Sequence, residues 1–245
     1  MNWRRAAATL LFFVLACGTG AAARPSLIEP KLMIAGGGST TPKVALTLDA
    51  CGGKADTRIL DSLVAHQIPA TIFVTAKWLS RNPAAVSLLL AHPELFDIEN
   101  HGARHVAAID APMRVYGVRA AGSAGSVASE VEGGRAAIIA ATGRAPRWFR
   151  GATAKYTSSS VALIATLNER IAGYSLAADA GALLGEKATA RRIEKAQDGD
   201  VILAHVNQPT RGAGAGVVAG VLDLKARGYR FVTLSEAMAP RHHGH

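Results

Sequence analysis

The chain has 245 residues, of which 49% are hydrophobic and only 5% aromatic, and its formal charge at pH 7 is +9. The basic residues are scattered and few aromatic side chains are present to stack on bases, so this composition argues against a nucleic-acid partner. The positive charge favours contact with anionic surfaces such as a cell envelope, and the length suits one domain with a sizeable core.

Residues 1–23 have the pattern of a signal peptide. Arg4 and Arg5 give the positive start, residues 6–16 form an apolar run, and residues 21–23 are a small-residue cleavage site. The run is shorter than the roughly 20 residues that span a bilayer, so the pattern predicts cleavage and a secreted or periplasmic protein without a transmembrane segment. Cys17 lies in a sequence that also resembles a lipoprotein processing site, which leaves a lipid-anchored envelope protein as the alternative.

The remaining chain divides into three predicted parts. Residues 24–41 are rich in Pro, Gly, Ser and Thr and are expected to form a flexible leader. Residues 42–240 are expected to form the domain, and residues 241–245 a disordered tail with three histidines.

Within the domain, short apolar runs alternate with segments of helical spacing. The predicted strands are 44–49, 70–74, 96–100, 148–150, 171–177, 200–205 and 229–234, and the predicted helices are 56–66, 84–92, 126–142, 158–168, 188–196 and 217–227. This order predicts an α/β fold with parallel strands. About seven such units are typical of a barrel related to the (β/α)8 barrel.

Polar side chains lie at or just after the ends of five predicted strands. They are Asp49, His101, Arg150, Asp179 and His205. In a parallel α/β barrel the carboxyl ends of the strands share one face, where catalytic groups assemble, so we expect these five residues to lie together.

Two histidines, His101 and His105, are four residues apart. That spacing would place both imidazoles on one turn of a helix, where they could share a metal ion at about 2.0–2.1 Å from each nitrogen. Together with the strand-end carboxylate of Asp49, the pair indicates a metal-assisted hydrolase. The placement of Cys51 two residues beyond Asp49 indicates a small buried apolar group behind the site. A redox or nucleophilic role is the less favoured alternative, because no neighbour in the sequence activates the thiol.

These segments, taken in order, resemble the polysaccharide deacetylases, carbohydrate esterase family 4. The resemblance rests on LTLD at 46–49, HGARH at 101–105, FRG at 149–151, Asp179, and ILAH at 202–205, and extends over residues 43–236. It implies a distorted (β/α)7 barrel that removes N-acetyl groups from amino-sugar polymers such as peptidoglycan, chitin or exopolysaccharide. The implied cofactor is a divalent metal, zinc first and cobalt or a similar ion second.

The resemblance also implies a role for each residue. His101 and His105 would bind the metal, Asp49 would be the general base, and His205 the general acid. Arg150 would hold the base ionised and Asp179 would orient the catalytic histidine. Substrate contacts are expected from Leu203 and Leu176, which would line an acetyl pocket, and from Asn207.

The sequence departs from the family pattern at three places. Ala50 replaces the acid that is usually a metal ligand, Gly151 replaces a proline after the arginine, and Ala180 replaces a tryptophan. The metal would then be held by the two histidines with waters, or by Asp49 as a third ligand, or not at all. A glycan-binding barrel without turnover, and an amidase acting on another linear amide, are the alternatives to the deacetylase.

Overall fold

The computed structural model describes residues 25–239; the predicted signal peptide, Cys17 and the histidine tail lie outside the described residues. An eight-stranded sheet is surrounded by helices. The strands are β1 Lys43–Ala50, β2 Ala70–Val74, β3 Phe96–Asn100, β4 Arg114–Val115, β5 Val118–Arg119, β6 Trp148–Phe149, β7 Arg170–Ile171, β8 Leu176–Ala177, β9 Val201–His205 and β10 Arg230–Val232. The helices are α1 Thr57–Ala65, α2 Ala76–Arg81, α3 Pro83–Ala91, α4 Ala124–Thr142, α5 Ser158–Thr166, α6 Glu186–Ile193, α7 Ala213–Ala226 and α8 Leu234–Ala237.

The sheet has the order β7-β6-β3-β2-β1-β9-β8, and β10 also pairs with β1. Every pair in this sheet is parallel, while β4 and β5 form a separate antiparallel hairpin. The carboxyl ends of all the parallel strands therefore lie at one edge. The sheet curls into a half-barrel, which confirms the predicted distorted (β/α)7 barrel.

Strand β1 shows how the sequence sets the two faces of the sheet. Its alternate residues Val44, Leu46, Leu48 and Ala50 pack in the large core between the sheet and the helices. Ala45, on the other face, packs in a smaller core inside the half-barrel with Phe73, Trp148, Val201 and Val232. Because successive strand residues point to opposite faces, Thr47 and Asp49 share that inner face.

The leader is docked on the barrel, contrary to the prediction of a flexible arm. Ile28 exchanges two backbone hydrogen bonds with Tyr156, at 2.7 and 2.9 Å, and the backbone N–H of Ile34 donates to the carbonyl of Gly199 at 2.9 Å. Ile34 is buried in the inner core. Its apolar side chain is part of that core, and this burial holds the segment in place.

The predicted strand 171–177 is wrong as one element: the structure has two short strands, β7 and β8, with a break between them. The carbonyls of Ala172 and Gly173 in the break accept hydrogen bonds from the Arg150 guanidinium at 3.2 and 2.9 Å. A Cβ on Gly173 would lie 2.3 Å from the carbonyl oxygen of Pro30, so the leader also passes close to this break.

Sequence reasoning missed α2, α8 and the β4–β5 hairpin. Each is short, and the first helix depends on a cap: the Thr75 hydroxyl accepts a hydrogen bond from the backbone N–H of Trp78. The hairpin turns at Tyr116 and Gly117, whose φ angles of 50° and 78° suit a tight two-residue turn. Among residues 25–239, none of the helices combines the length and apolar character needed to cross a membrane.

Candidate active site

Asp49 and Arg150 form a buried ion pair at the carboxyl edge of the sheet. The Arg150 Nη1 atom donates to Asp49 Oδ1 at 3.0 Å and to the hydroxyl of Thr47 at 2.8 Å. Its side chain is fully buried, and that of Asp49 is 7% exposed. The guanidinium also lies 4.3 Å from the ring centroid of Phe73, so its position is fixed on several sides.

The charges around Asp49 keep its carboxylate ionised. Burial by itself would raise the pKa of Asp49, but His101, Arg150 and His205 outweigh burial and hold the pKa below its usual value. An ionised carboxylate in this position can accept a proton.

Asp179 and His205 form the second pair at the same edge. Asp179 Oδ1 lies 2.9 Å from His205 Nδ1, and Oδ2 accepts the backbone N–H of His205 at 2.7 Å. Burial opposes the charged imidazole, yet the hydrogen bond to Asp179 raises the pKa of His205 well above its ordinary value. His205 is the register partner of Asp49 in neighbouring strands, so the two pairs lie side by side.

His101 and His105 do lie together, but not on a helical turn as predicted. Residues 101–105 form a loop after β3, with φ angles of 90° at Gly102 and 65° at His105. The two ring centroids are 5.1 Å apart. Positive φ angles interrupt a helix, because helical residues require negative φ.

A buried acid, Glu130 of α4, holds this loop. Its Oε1 atom accepts the backbone N–H groups of Arg104 at 2.9 Å and Val106 at 3.2 Å, on either side of His105. The Glu130 side chain is fully buried, whereas that of Arg104 is 63% exposed. Loop donors that a helix would satisfy internally are thus satisfied by a side chain from another element.

Cys51 differs from its interpretation as a buried apolar group. It is partly exposed and faces the histidines: its Sγ atom lies 3.5 Å from His101 Nε2. The candidate ligand atoms of Cys51, His101 and His105 all lie within 4.8 Å of one another. A thiolate and two imidazoles are a donor set that suits a divalent ion such as zinc, so these residues fit the metal that the fold family implies.

The charges of the cluster are coupled. Burial would raise the pKa of the Cys51 thiol, but His101 outweighs burial and, with His105 and His205, lowers that pKa well below its usual value. Burial disfavours charged His101, whereas Asp49 and Cys51 raise its pKa. The carboxylate and the thiolate together create a negative environment that favours a cation.

Of the three predicted substrate contacts, Leu203 lies on the same strand face as His205, two residues before it. Leu176 is the register partner of Ile202 and packs with it against the core on the helix side. It therefore lies on the opposite face from Leu203, and the prediction that both line one pocket is wrong. Asn207 is 4% exposed, and its side-chain oxygen has no hydrogen-bond partner among the described residues.

Sequence reasoning missed two residues at this site, Cys51 and Glu130, and only Cys51 had a signal in the sequence. The alternation that places residues 45, 47 and 49 on the inner face continues to Cys51, once β1 is extended beyond its apolar run. Glu130 gave no such signal, because its contacts are with backbone groups 24 to 26 residues away.

A cavity of about 250 Å³ lies at the opposite end of β3, lined by residues that include Phe96, Asp97 and Arg147. It contains none of the residues of the cluster and is remote from the carboxyl edge. We place the site at the cluster, because paired titratable groups and metal-ligating atoms converge there.

The barrel and its polar cluster define a class of α/β protein with a metal-compatible site at the carboxyl edge of the sheet. A sequence model of the polysaccharide deacetylase family matches residues 36–172, more than half of the chain. The chain belongs to this family. A comparison with curated proteins found no match.

Solved structures share the fold. A peptidoglycan N-acetylglucosamine deacetylase, solved with a benzamide compound, has 20% identity and a TM-score of 0.69 over 84% of this chain and 91% of that one. The peptidoglycan deacetylase PdaC of Bacillus subtilis has 21% identity and a TM-score of 0.66 over 80% and 90%. A pseudoenzyme of carbohydrate esterase family 4 from Bacillus anthracis has 19% identity and a TM-score of 0.62. This comparison covers 80% of our chain and 65% of the pseudoenzyme.

Proposed function

We propose that the protein is an exported, metal-dependent hydrolase that removes N-acetyl groups from an amino-sugar polymer of the cell envelope. The observation that carries the proposal is that two fixed proton-transfer pairs, Asp49 with Arg150 and His205 with Asp179, meet a set of metal-ligating side chains at one edge of the barrel. A protein that only bound glycan would need no such pairs.

When bound, a divalent ion supplies the Lewis acidity that polarises the acetamide carbonyl and activates water. His101 and His105 would hold it, and Cys51 has its sulfur within reach. Asp49 Oδ2, which lies 3.9 Å from His101 Nε2, faces this group and would accept the proton of the attacking water.

His205 would then donate a proton to the departing amine, since an amide nitrogen leaves poorly without one. Asp179 accepts from Nδ1 and so leaves Nε2 to act on the substrate. Arg150 keeps Asp49 ionised before each turnover and does not itself transfer a proton. Leu203 would contact the acetyl methyl group, given its place on the His205 face.

A glycan-binding protein without turnover is the second candidate. The observation that favours it is Ala50, which stands where the family pattern has a metal-ligating acid. The pseudoenzyme among the structural neighbours shows that this fold can exist without activity.

Acetate release decides between the two. The protein would be chelated, supplied again with zinc or cobalt, and assayed on an acetylated chito-oligosaccharide and on peptidoglycan. His105→Ala is the test variant, and His66→Ala, which removes an exposed histidine at the end of α1, is the matched control.

We expect acetate release that depends on added metal, persists in His66→Ala and falls by at least about 100-fold in His105→Ala. No acetate with any metal, together with retained glycan binding, would instead establish the binding protein. Equal rates of acetate release by His105→Ala and the wild type would contradict the proposed role of a metal ion.

A further inference from the structure

We propose that Cys51 provides a thiolate ligand to the metal, so that the site is a Cys/His/His site selective for zinc-like ions. This inference rests on the proposed function only in requiring a metal at His101 and His105. It concerns the residue that replaces the missing acid and the class of metal that this replacement selects.

The separation of the donor atoms fits a shared ion. A sulfur at about 2.3 Å and an imidazole nitrogen at about 2.0–2.1 Å from one tetrahedral zinc ion lie about 3.6 Å from each other. The observed distance between Cys51 Sγ and His101 Nε2 is 3.5 Å. The His105 ring is within the same group, since all three ligand atoms lie within 4.8 Å.

The hydrogen bond on the other side of His101 sets its tautomer. The Nδ1 atom lies 2.5 Å from the backbone carbonyl of Arg150, which can only accept a hydrogen bond. Nδ1 therefore carries the hydrogen, and in the neutral imidazole Nε2 presents a lone pair towards Cys51. Metal-bound histidines have this arrangement, with the second nitrogen donating to a carbonyl or carboxylate.

Ala50 does not leave a gap in the site. Its methyl group is fully buried in the core between the sheet and the helices, on the opposite face of β1 from Asp49. The next side chain that returns to the inner face is that of Cys51. The ligand lost at position 50 is thus replaced one residue further along the chain.

The replacement leaves Asp49 available as a base. Its Oδ1 atom is engaged by Arg150, and its other oxygen lies 3.9 Å from His101 Nε2. A thiolate ligand also changes the metal preference, because soft sulfur favours zinc and cobalt over magnesium and manganese, which prefer oxygen ligands.

The test is the absorption spectrum of the cobalt(II)-loaded protein, which reports a Co–S bond independently of activity. The full chain would carry Cys17→Ser, so that Cys51 is the one remaining thiol. We expect a sulfur-to-cobalt charge-transfer band in the near ultraviolet that is absent in Cys51→Ala and Cys51→Asp. Zinc affinity, measured by competition with a chromophoric chelator, should fall at least about 100-fold in Cys51→Ala.

Cys51→Asp is the conservative variant, since it restores a ligand without sulfur. We expect it to recover zinc binding relative to Cys51→Ala and to bind manganese more tightly than the wild type does. Variants that misfold would be recognised by circular dichroism, and the wild-type cobalt spectrum is informative without any substitution.

The outcomes separate this inference from the proposed function. Cobalt bound to the wild type without a charge-transfer band, with unchanged zinc affinity in Cys51→Ala, would overturn the thiolate ligand whether or not acetate is released. A band without acetate release would support the ligand and contradict the deacetylase. Failure of the wild type to bind metal would overturn both.

Discussion

The two sides of the candidate site are held in place by different means. On the acid–base side, Asp49 and Arg150, and likewise Asp179 and His205, contact each other directly at 3.0 and 2.9 Å. On the metal side, the candidate ligand atoms of Cys51, His101 and His105 lie within 4.8 Å of one another, and Glu130 holds the loop that carries the two histidines. The acid–base side is held together by direct ion pairs between its own side chains. The metal side consists of electron-pair donors that a bound cation would bring into contact.

The largest expected effect comes from removing the positive charge of Arg150 on the acid–base side. We expect Arg150→Met to lower the free energy of unfolding by about 3–5 kcal/mol, because it leaves the buried Asp49 carboxylate without its hydrogen-bonded cation. Urea denaturation measures this loss. Arg227→Met is the matched control, since its pair with Asp223 is exposed and should contribute less than about 1 kcal/mol. Similar losses in both variants would contradict the role of Arg150.

Asp179→Asn tests the other acid–base pair. We expect kcat for acetate release to fall about 100-fold, because the neutral amide supports the imidazolium less well. Asp179 raises the pKa of His205, and in the proposed mechanism the protonated imidazole is the acid. Activity is therefore lost as pH rises through this pKa, and the variant should lose it at a lower pH than the wild type. Asp61→Asn, at an exposed position, should leave the profile unchanged.

Glu130→Ala tests the metal side alone. Two loop N–H groups lose their acceptor, so the His105 backbone is less well fixed, and we expect zinc affinity to fall by about tenfold or more. The matched control is Glu132→Gln on the exposed side of the same helix. Unchanged zinc affinity in Glu130→Ala would show that the loop keeps its geometry without the carboxylate.

Glu169→Gln should have the smallest effect on the site itself, because the partners of Glu169 are Asn100 and Arg135 rather than the two pairs or the three candidate ligands. Burial raises the pKa of Glu169 from 4.5 to about 7, although Asn100 and Arg135 oppose the rise. The folded state thus binds the proton more tightly than the unfolded state, and stability is lost as pH rises from about 4.5 through about 7. We expect Glu169→Gln to lessen this loss by about 2–3 kcal/mol, measured by denaturation at about pH 5 and pH 8. An equal loss of stability in Glu169→Gln and in the wild type would contradict this role of Glu169.

The fold was predictable because its strands are short and buried. The predicted strands 70–74 and 96–100 coincide with β2 and β3. The first is a short apolar run, and in the second Phe96 and Ile98 alternate with polar residues; both patterns are typical of strands. Because the carboxyl ends of parallel strands share one face, polar residues at predicted strand ends were expected to lie together. Asp49, Arg150, Asp179 and His205 do lie at the carboxyl edge of the sheet.

Other features depended on contacts that local sequence does not encode. The conformation of the histidine loop depends on its hydrogen bonds to Glu130. The break between β7 and β8 contains carbonyls that accept hydrogen bonds from Arg150, and Leu176 shares the sheet face of its register partner Ile202. Each of these contacts joins residues more than 20 positions apart. A pattern of spacing within one segment contains no information about such partners.

The sequence by itself therefore determined the main alternation of strands and helices, the parallel barrel and the ionisable residues at its carboxyl edge. Hydrophobic periodicity and the geometry of parallel strands suffice for these features. Only the tertiary structure decided which side chains meet: that Cys51 faces His101 while Ala50 enters the core, and that Glu130 holds the loop that carries both histidines. The physical reason is that metal-ligating distances and buried hydrogen bonds are set by the packing of separate elements.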